Sequence, residues 1–225
     1  QYIVDFRRFF KDAKIISLET NYRSTSSIVD ASSEVIRNNK FMLDKVVRAY
    51  KKSKSKIEVY TAIDFHDGVE WALQKVKELI KKKINPEQIL FLYRRSKMFE
   101  PYRERFKKEK LYVNAKTIHA AKGLESKIVF IIGLTHGNGG FPDIWLDDRI
   151  YHIIRPVKYD LLLEEERRLF YVALTRAADH LYLITEAGNE SVFISEIPEA
   201  NKSSVAFGIQ PNFKNKKECK KCGAI

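Results

Sequence analysis

Apolar positions along the chain follow two periods. Short blocks, "KIISL" at 14–18, "KIEVYTA" at 56–62, "QILFLYR" at 88–94, "VNAKTI" at 113–118, "KIVFIIGL" at 127–134 and "HLYLIT" at 180–185, predict strands. Between them, apolar residues recur at helical spacing. Strands alternating with helices argue for an α/β domain, a mostly parallel sheet with helices on both faces. "KIVFIIGL" is almost continuously apolar and is expected at the sheet centre, covered on both sides.

Three helices are predicted. "STSSIVDASSEVIRNN", 24–39, opens with Ser24 and Thr25 as N-cap candidates and places Ile28, Ala31, Val35 and Ile36 on one stripe. "DGVEWALQKVKELIKKK", 67–83, aligns Val69, Leu73, Val76 and Ile80, with lysines at the end the helix dipole favours. "DLLLEEERRLFYVALTRAAD", 160–179, turns Leu162, Leu169, Val172 and Ala173 to the core and pairs Glu164 with Arg168 at i,i+4. Arg176 falls where this last helix should stop.

From Thr135 to Tyr159 the chain is irregular and rich in Gly, Asp and Pro, as functional loops often are. Phe141 and Trp145 are read there as packing beneath the loop in preference to stacking on bases. From Asn201 onward Ser, Lys and Asn dominate, so the reading is one domain over 1–200 and a basic tail over 201–225.

The net charge of +12, with a pI near 9.5, favours an anionic partner such as nucleic acid, although "KKSKSK" and "KKK" read equally as solvated surface. No apolar run reaches membrane-spanning length and "QYIVDFRRFF" is no signal peptide, so neither membrane nor export is indicated. A cytoplasmic, nucleoid-associated setting is expected. The chain begins with Gln and is expected to be a piece of a longer one. Cys219 and Cys222 form one C-x-x-C knuckle, half of a zinc ribbon, so zinc is expected only if a second knuckle follows Ile225.

Several chemistries find no support. The sequence holds no G-x-x-x-x-G-K-[ST] phosphate loop, no strand ending in paired carboxylates, no H-E-x-x-H and no G-x-S-x-G. It reads as supplying part of a site.

Three stretches carry that part. "LETNYRSTSSIV", 18–29, sets Tyr22 and Arg23 at a strand-to-helix junction, and the carboxyl ends of strands are where open α/β sheets bind ligands. A packed Tyr22 and a solvated Arg23 are the plain alternative. "NAKTIHAAKGLESKIVFIIGL", 114–134, crowds His119, Lys122 and Glu125 around Gly123, whose missing side chain lets backbone N–H groups approach a phosphate. "RRLFYVALTRA", 167–177, delivers Arg176.

Together and in this order, the three resemble the signature motifs of the second RecA-like domain of UvrD/Rep-type superfamily one DNA helicases, over roughly residues 14–186. The resemblance implies that Arg176 is an arginine finger reaching a nucleotide on the opposite motor domain. It likewise implies that Arg23 contacts the γ-phosphate, Tyr22 stacks on adenine, and Glu125 accepts a ribose hydroxyl with Gly123 nearby. Thr117 and His119 match positions that touch single-stranded DNA, and Arg95 or Ser96, in and after "LYRR", adds a further contact. The cofactors implied are ATP and Mg2+, the metal held mainly by an N-terminal motor domain. The partners are that domain, single-stranded DNA and duplex junctions, with this fragment a monomer that is inactive alone. Polarity, 3′ to 5′, comes from the resemblance only, and repair is one of several pathways it allows.

One departure stands out. Many relatives carry an accessory domain between the segments matching Phe106 and Asn114, where only "KKEKLYV" lies here, so the insert is expected to be absent. Two other readings stand beside the motor: a non-catalytic nucleic-acid-binding module derived from a helicase domain, and a zinc-ribbon adaptor built on the terminal cysteines.

Overall fold

The computed structural model describes residues 6–14, 16–40, 45–53, 55–137, 139–144 and 159–206. In chain order the elements are α1 (Phe6–Phe9), β1 (Thr20–Thr25), α2 (Ser26–Arg37), β2 (Arg48–Lys51), β3 (Ile57–Ala62), α3 (Phe65–Lys81), β4 (Ile89–Tyr93) and α4 (Glu100–Lys108). They continue with β5 (Asn114–Thr117), β6 (Ser126–Ile131), α5 (Tyr159–Leu174), β7 (Ala177–Glu186), α6 (Val192–Ser195) and β8 (Lys202–Ala206).

Six strands form one sheet in the order β5-β4-β6-β7-β3-β8, every neighbouring pair parallel. Alternation along the strands sorts their side chains to two faces. Val59, Leu90, Leu92, Val129, Ile131, Leu181 and Leu183 meet Ile28, Ala31 and Val35 of α2 and Phe170, Ala173 and Leu174 of α5. Tyr60, Ile89, Phe91, Phe130, Tyr182 and Ile184 meet Val69, Leu73 and Val76 of α3 and Tyr102 and Phe106 of α4. On that second face Phe91 stacks on Phe130 at 4.5 Å and Phe130 on Tyr182 at 4.6 Å, giving the sheet a spine of rings. The three-layer α/β architecture expected from the sequence is the observed one, and β6 is one of its two middle strands. Glu109–Val113 joins α4 directly to β5, with no insert.

Several local expectations need correction. "KIISL" forms no strand among its described residues: Ile16 and Leu18 are 83% and 75% exposed, and the strand is the following "TNYRST". β1 pairs with β2 in a separate two-stranded parallel sheet, and that partner reaches only from Thr20 onward. The tail does not begin at Asn201, since Lys202–Ala206 pairs with β3 at the sheet edge. Thr25 occupies the N-cap of α2 without a side-chain cap bond, and Ser24 turns inward instead to donate to Ala177 O at 2.7 Å.

The core stripe of α5 is Phe170, Ala173 and Leu174, while Leu169 and Val172 are half-buried at its margin. Its buried face continues as Glu164, Glu166 and Arg167, which periodicity of apolar residues alone cannot find. Arg167 forms a bidentate pair with Glu196 (2.8 and 2.7 Å) and donates to Asn39 at 2.7 Å; the predicted Glu164–Arg168 pair is present at 3.1 Å. Phe141 is fully buried against Phe170 and Phe193, as expected, whereas Trp145 lies outside the described residues. Among the described residues no helix is long and apolar enough to cross a membrane.

Candidate functional site at the amino-terminal edge of the sheet

α5 stops at Leu174, and β7 begins at Ala177. In the turn between them Arg176 N donates to Ala173 O at 3.1 Å and its Nε to Val172 O at 2.9 Å. The last carbonyls of a helix lack intrahelical partners and carry partial negative charge, so a cation folded back over them is favoured. This local reason puts an arginine at the helix end. The rest of the guanidinium reaches outward, Nη1 to Leu124 O at 3.1 Å and Nη2 to Thr175 Oγ1 at 3.2 Å.

Arg23 arrives from β1. The Asn21 carboxamide oxygen accepts from both Arg23 N and Ser24 N at 2.9 Å, fixing the turn of the chain, and the Ser24 bond to Ala177 O anchors it to β7. The Arg23 side chain then donates to Thr175 O at 3.4 Å and forms an ion pair with Glu125. Burial, followed by the neighbouring positive charge of Arg23, holds the Arg176 pKa below the usual guanidinium value, with Glu125 and Tyr171 acting the other way. Two guanidinia and one carboxylate leave this edge net cationic, and an entering anion would relieve the repulsion between the arginines.

Ser126 N donates to Arg176 O at 3.0 Å and Ser126 pairs with Ala177, so this cluster lies where β6 and β7 begin. The expected strand-to-helix junction is corrected: Tyr22 and Arg23 lie within β1, α2 begins only at Ser26, and β1 is outside the main sheet, packed beside its amino-terminal edge. Gly123, just ahead of Glu125, has φ +89° with no atom within 4 Å of a would-be Cβ, so backbone conformation rather than crowding calls for glycine there. Tyr22 is 67% exposed and its ring lies 5.1 Å from that of Tyr50, itself 69% exposed. It is neither packed inside nor isolated.

The other four candidates sit at the opposite end. Thr117 closes β5 beside Tyr93 of β4 and accepts from Ala120 N at 3.3 Å; His119 is exposed in the next turn. Arg95 and Ser96 follow β4, and Ser96 is exposed, but Arg95 is bound to Asp143 at 2.6 Å. One loop, Ile118–Glu125, therefore runs from the carboxyl-terminal edge to the amino-terminal edge, carrying His119 at its start and Glu125 at its end.

Sequence reading missed the residues that hold these pieces. Arg94 grips Glu166 of α5 through three contacts of 2.8–3.1 Å, and Glu166 accepts from Asp143 N at 3.1 Å. Asn21 was discoverable as an Asx-turn residue two positions before Arg23; Tyr50, inside a lysine-rich stretch, gave no signal. Among the described residues no group of three or more His, Cys, Asp or Glu side chains is placed to hold a metal ion, and Cys219 and Cys222 lie outside them.

The structure is a parallel α/β domain with a paired-arginine cluster at one edge of its main sheet, and the sequence carries no phosphate loop. The chain belongs to the UvrD-like helicase C-terminal domain family, which it matches over residues 16–116 and 103–188. It is 30% identical over 204 residues to DNA helicase IV of Escherichia coli K12, covering 88% of this chain and 29% of that protein. It is 39% identical over 93 residues to the ATP-dependent DNA helicase PcrA of Bacillus subtilis, covering 37% of this chain and 11% of that one. The chain thus spans less than a third of these relatives. The solved C-terminal domain of a possible DNA helicase from Lactobacillus plantarum WCFS1 superposes with a TM-score of 0.55 at 18% identity, over 82% of this chain and 98% of that one, a likeness of fold.

Proposed function

We propose that this domain is the second motor domain of an ATP-dependent DNA helicase or translocase moving 3′ to 5′ on single strands in the cytoplasm. It completes an ATP site whose phosphate loop and Mg2+ ligands stand on a separate N-terminal motor domain. The observation that carries the reading is the convergence of Arg23, Glu125 and Arg176 from three separate stretches of chain onto one edge.

The residues fit a nucleoside triphosphate. Arg23 and Arg176 supply positive charge where negative charge accumulates on the transferring phosphoryl oxygens, and such an arginine offered from another domain is worth about 10³ to 10⁵ in rate. Tyr22 offers an exposed flat face for the base. Glu125 accepts from the ribose, and Gly123 keeps backbone close by. At the far edge Thr117, His119, Arg95 and Ser96 hold the DNA strand, mainly through phosphates. Closure of the two motor domains brings Arg176, whose side chain donates to the Val172 and Leu124 carbonyls, to the nucleotide.

The test is ATP hydrolysis by the full-length protein, with and without single-stranded DNA, comparing wild type with Arg176→Ala. The expected result is a fall in kcat of at least about 10²-fold with nucleotide binding retained. An unchanged rate would make the helix end structural and the domain a DNA-binding module.

A further inference from the structure

We infer that Tyr50 is a positioning residue for the nucleobase, holding the Tyr22 ring from behind so that its free face is presented to a purine. This rests on the reading of Tyr22 as the base platform. The geometry comes from β1 and β2: Asn21 pairs with Ala49, the register shifts between Asn21 and Thr25, and just after that last regular pair Tyr22 and Tyr50 are both exposed while Arg23 is turned back toward Glu125. Successive residues of β1 thus differ in exposure, Tyr22 lying at the surface and Arg23 half-buried beside Glu125.

Two large rings, 67% and 69% exposed, thus stand side by side on the surface, their centroids 5.1 Å apart and their planes tilted by 40°. That separation is direct aromatic contact and leaves no gap for a base between them. A base therefore lies on the far face of Tyr22, and Tyr50 closes the near one. β2 is itself held in place: Lys51 pairs with Asp179 of β7 at 3.1 Å, and just beyond the strand Ser53 O accepts from Ser26 Oγ at 3.0 Å. Tyr50 projects from an anchored strand, so it removes rotamer freedom from Tyr22 before nucleotide arrives, the way preorganisation improves affinity. A ring braced in this way stacks by area and favours purine over pyrimidine nucleotides without hydrogen-bond readout.

The experiment measures steady-state hydrolysis of ATP and of CTP by the full-length protein, at saturating single-stranded DNA, for wild type, Tyr50→Ala, Tyr50→Phe, Tyr22→Ala and the double alanine variant. Tyr50→Ala is expected to raise KM for ATP about three- to tenfold, the scale of one aromatic pair, with kcat within about twofold and a narrowed ATP/CTP preference. Tyr50→Phe restores the wild-type KM, and the double variant is no worse than Tyr22→Ala alone, because one ring acts through the other. An unchanged KM in Tyr50→Ala, with a raised KM in Tyr22→Ala, overturns the inference and leaves the base platform standing. Unchanged KM in both overturns the platform as well. A fall in kcat alone, a higher DNA requirement, or failure of Tyr50→Phe to rescue also overturns it.

Discussion

The carboxylate of Glu125, in the loop entering β6, is ion-paired with the guanidinium of Arg23 on β1, which also donates to Thr175 O, next to Arg176. The pair is open to solvent, with side-chain exposures of 38% for Arg23 and 58% for Glu125, so it positions Arg23 without contributing much stability. Glu125→Ala is expected to shift unfolding by no more than about 1 kcal/mol while raising KM for ATP. Thermal unfolding run beside ATPase assays separates the two. A large loss of stability with normal KM would mark Glu125 as structural.

Glu166 is the opposite case. Its side chain is 10% exposed and bound by Arg94, at 22%, while also accepting from Asp143 N. Truncating it removes the carboxylate that a half-buried cation and a backbone donor share. Glu166→Ala is expected to cost about 3 kcal/mol, read from urea denaturation, and Glu166→Gln to recover part of that through its amide oxygen. A loss below about 1 kcal/mol would show that solvent replaces the carboxylate.

Two glycines are required for different reasons, and substitution tells them apart. At Gly123 only the positive φ is demanding, so Ala should cost about 1–2 kcal/mol and Asn, which tolerates that region, less. At Gly140 a Cβ would stand 2.1 Å from Thr135 O, so Ala and Asn should both be costly, about 2–3 kcal/mol or more. Thermal melts of the four variants check this; rescue by Asn at Gly140 would contradict the clash.

The acid limb of stability carries a further signature. Glu109 bonds Lys77 and Arg105, each at 2.8 Å, and these partners, Lys77 first, lower its pKa from 4.5 to about 2. A carboxylate with a depressed folded pKa stabilises above its unfolded pKa and loses that contribution as pH falls through the folded one. The Tm difference between wild type and Glu109→Gln should therefore be fully present above pH 4.5 and shrink as pH falls toward 2. A difference that stays constant with pH would mean the two cations do not stabilise the charged form.

Much of the fold was legible because burial leaves a periodic trace. Five of the six predicted strands and all three predicted helices are present, since continuous apolar runs such as that of β6 and stripes such as Val69, Leu73 and Val76 have few other ways to be buried; the last helix, expected to run to Asp179, stops at Leu174 because Ala177 already pairs in β7. "KIISL" failed because apolarity alone does not make a strand; a hydrogen-bonding partner must reach it, and β2 begins too far along. β8 was taken for tail because "KSSVA" looks polar, yet an edge strand needs little apolar character when one neighbour supplies its ladder.

The sequence by itself determined the layered α/β class, the family resemblance and the identity of the charged residues, because these follow from local periodicity and from motifs read within single stretches. Only the tertiary structure decided that Arg23, Glu125 and Arg176 share the amino-terminal edge while Thr117, His119, Arg95 and Ser96 lie at the other, and that Tyr50 stands against Tyr22. Those relations depend on strand order and on the irregular pairing of β1 with β2, whose register shifts between Asn21 and Thr25. Such long-range pairings leave no mark in the chain near any one of the residues they join.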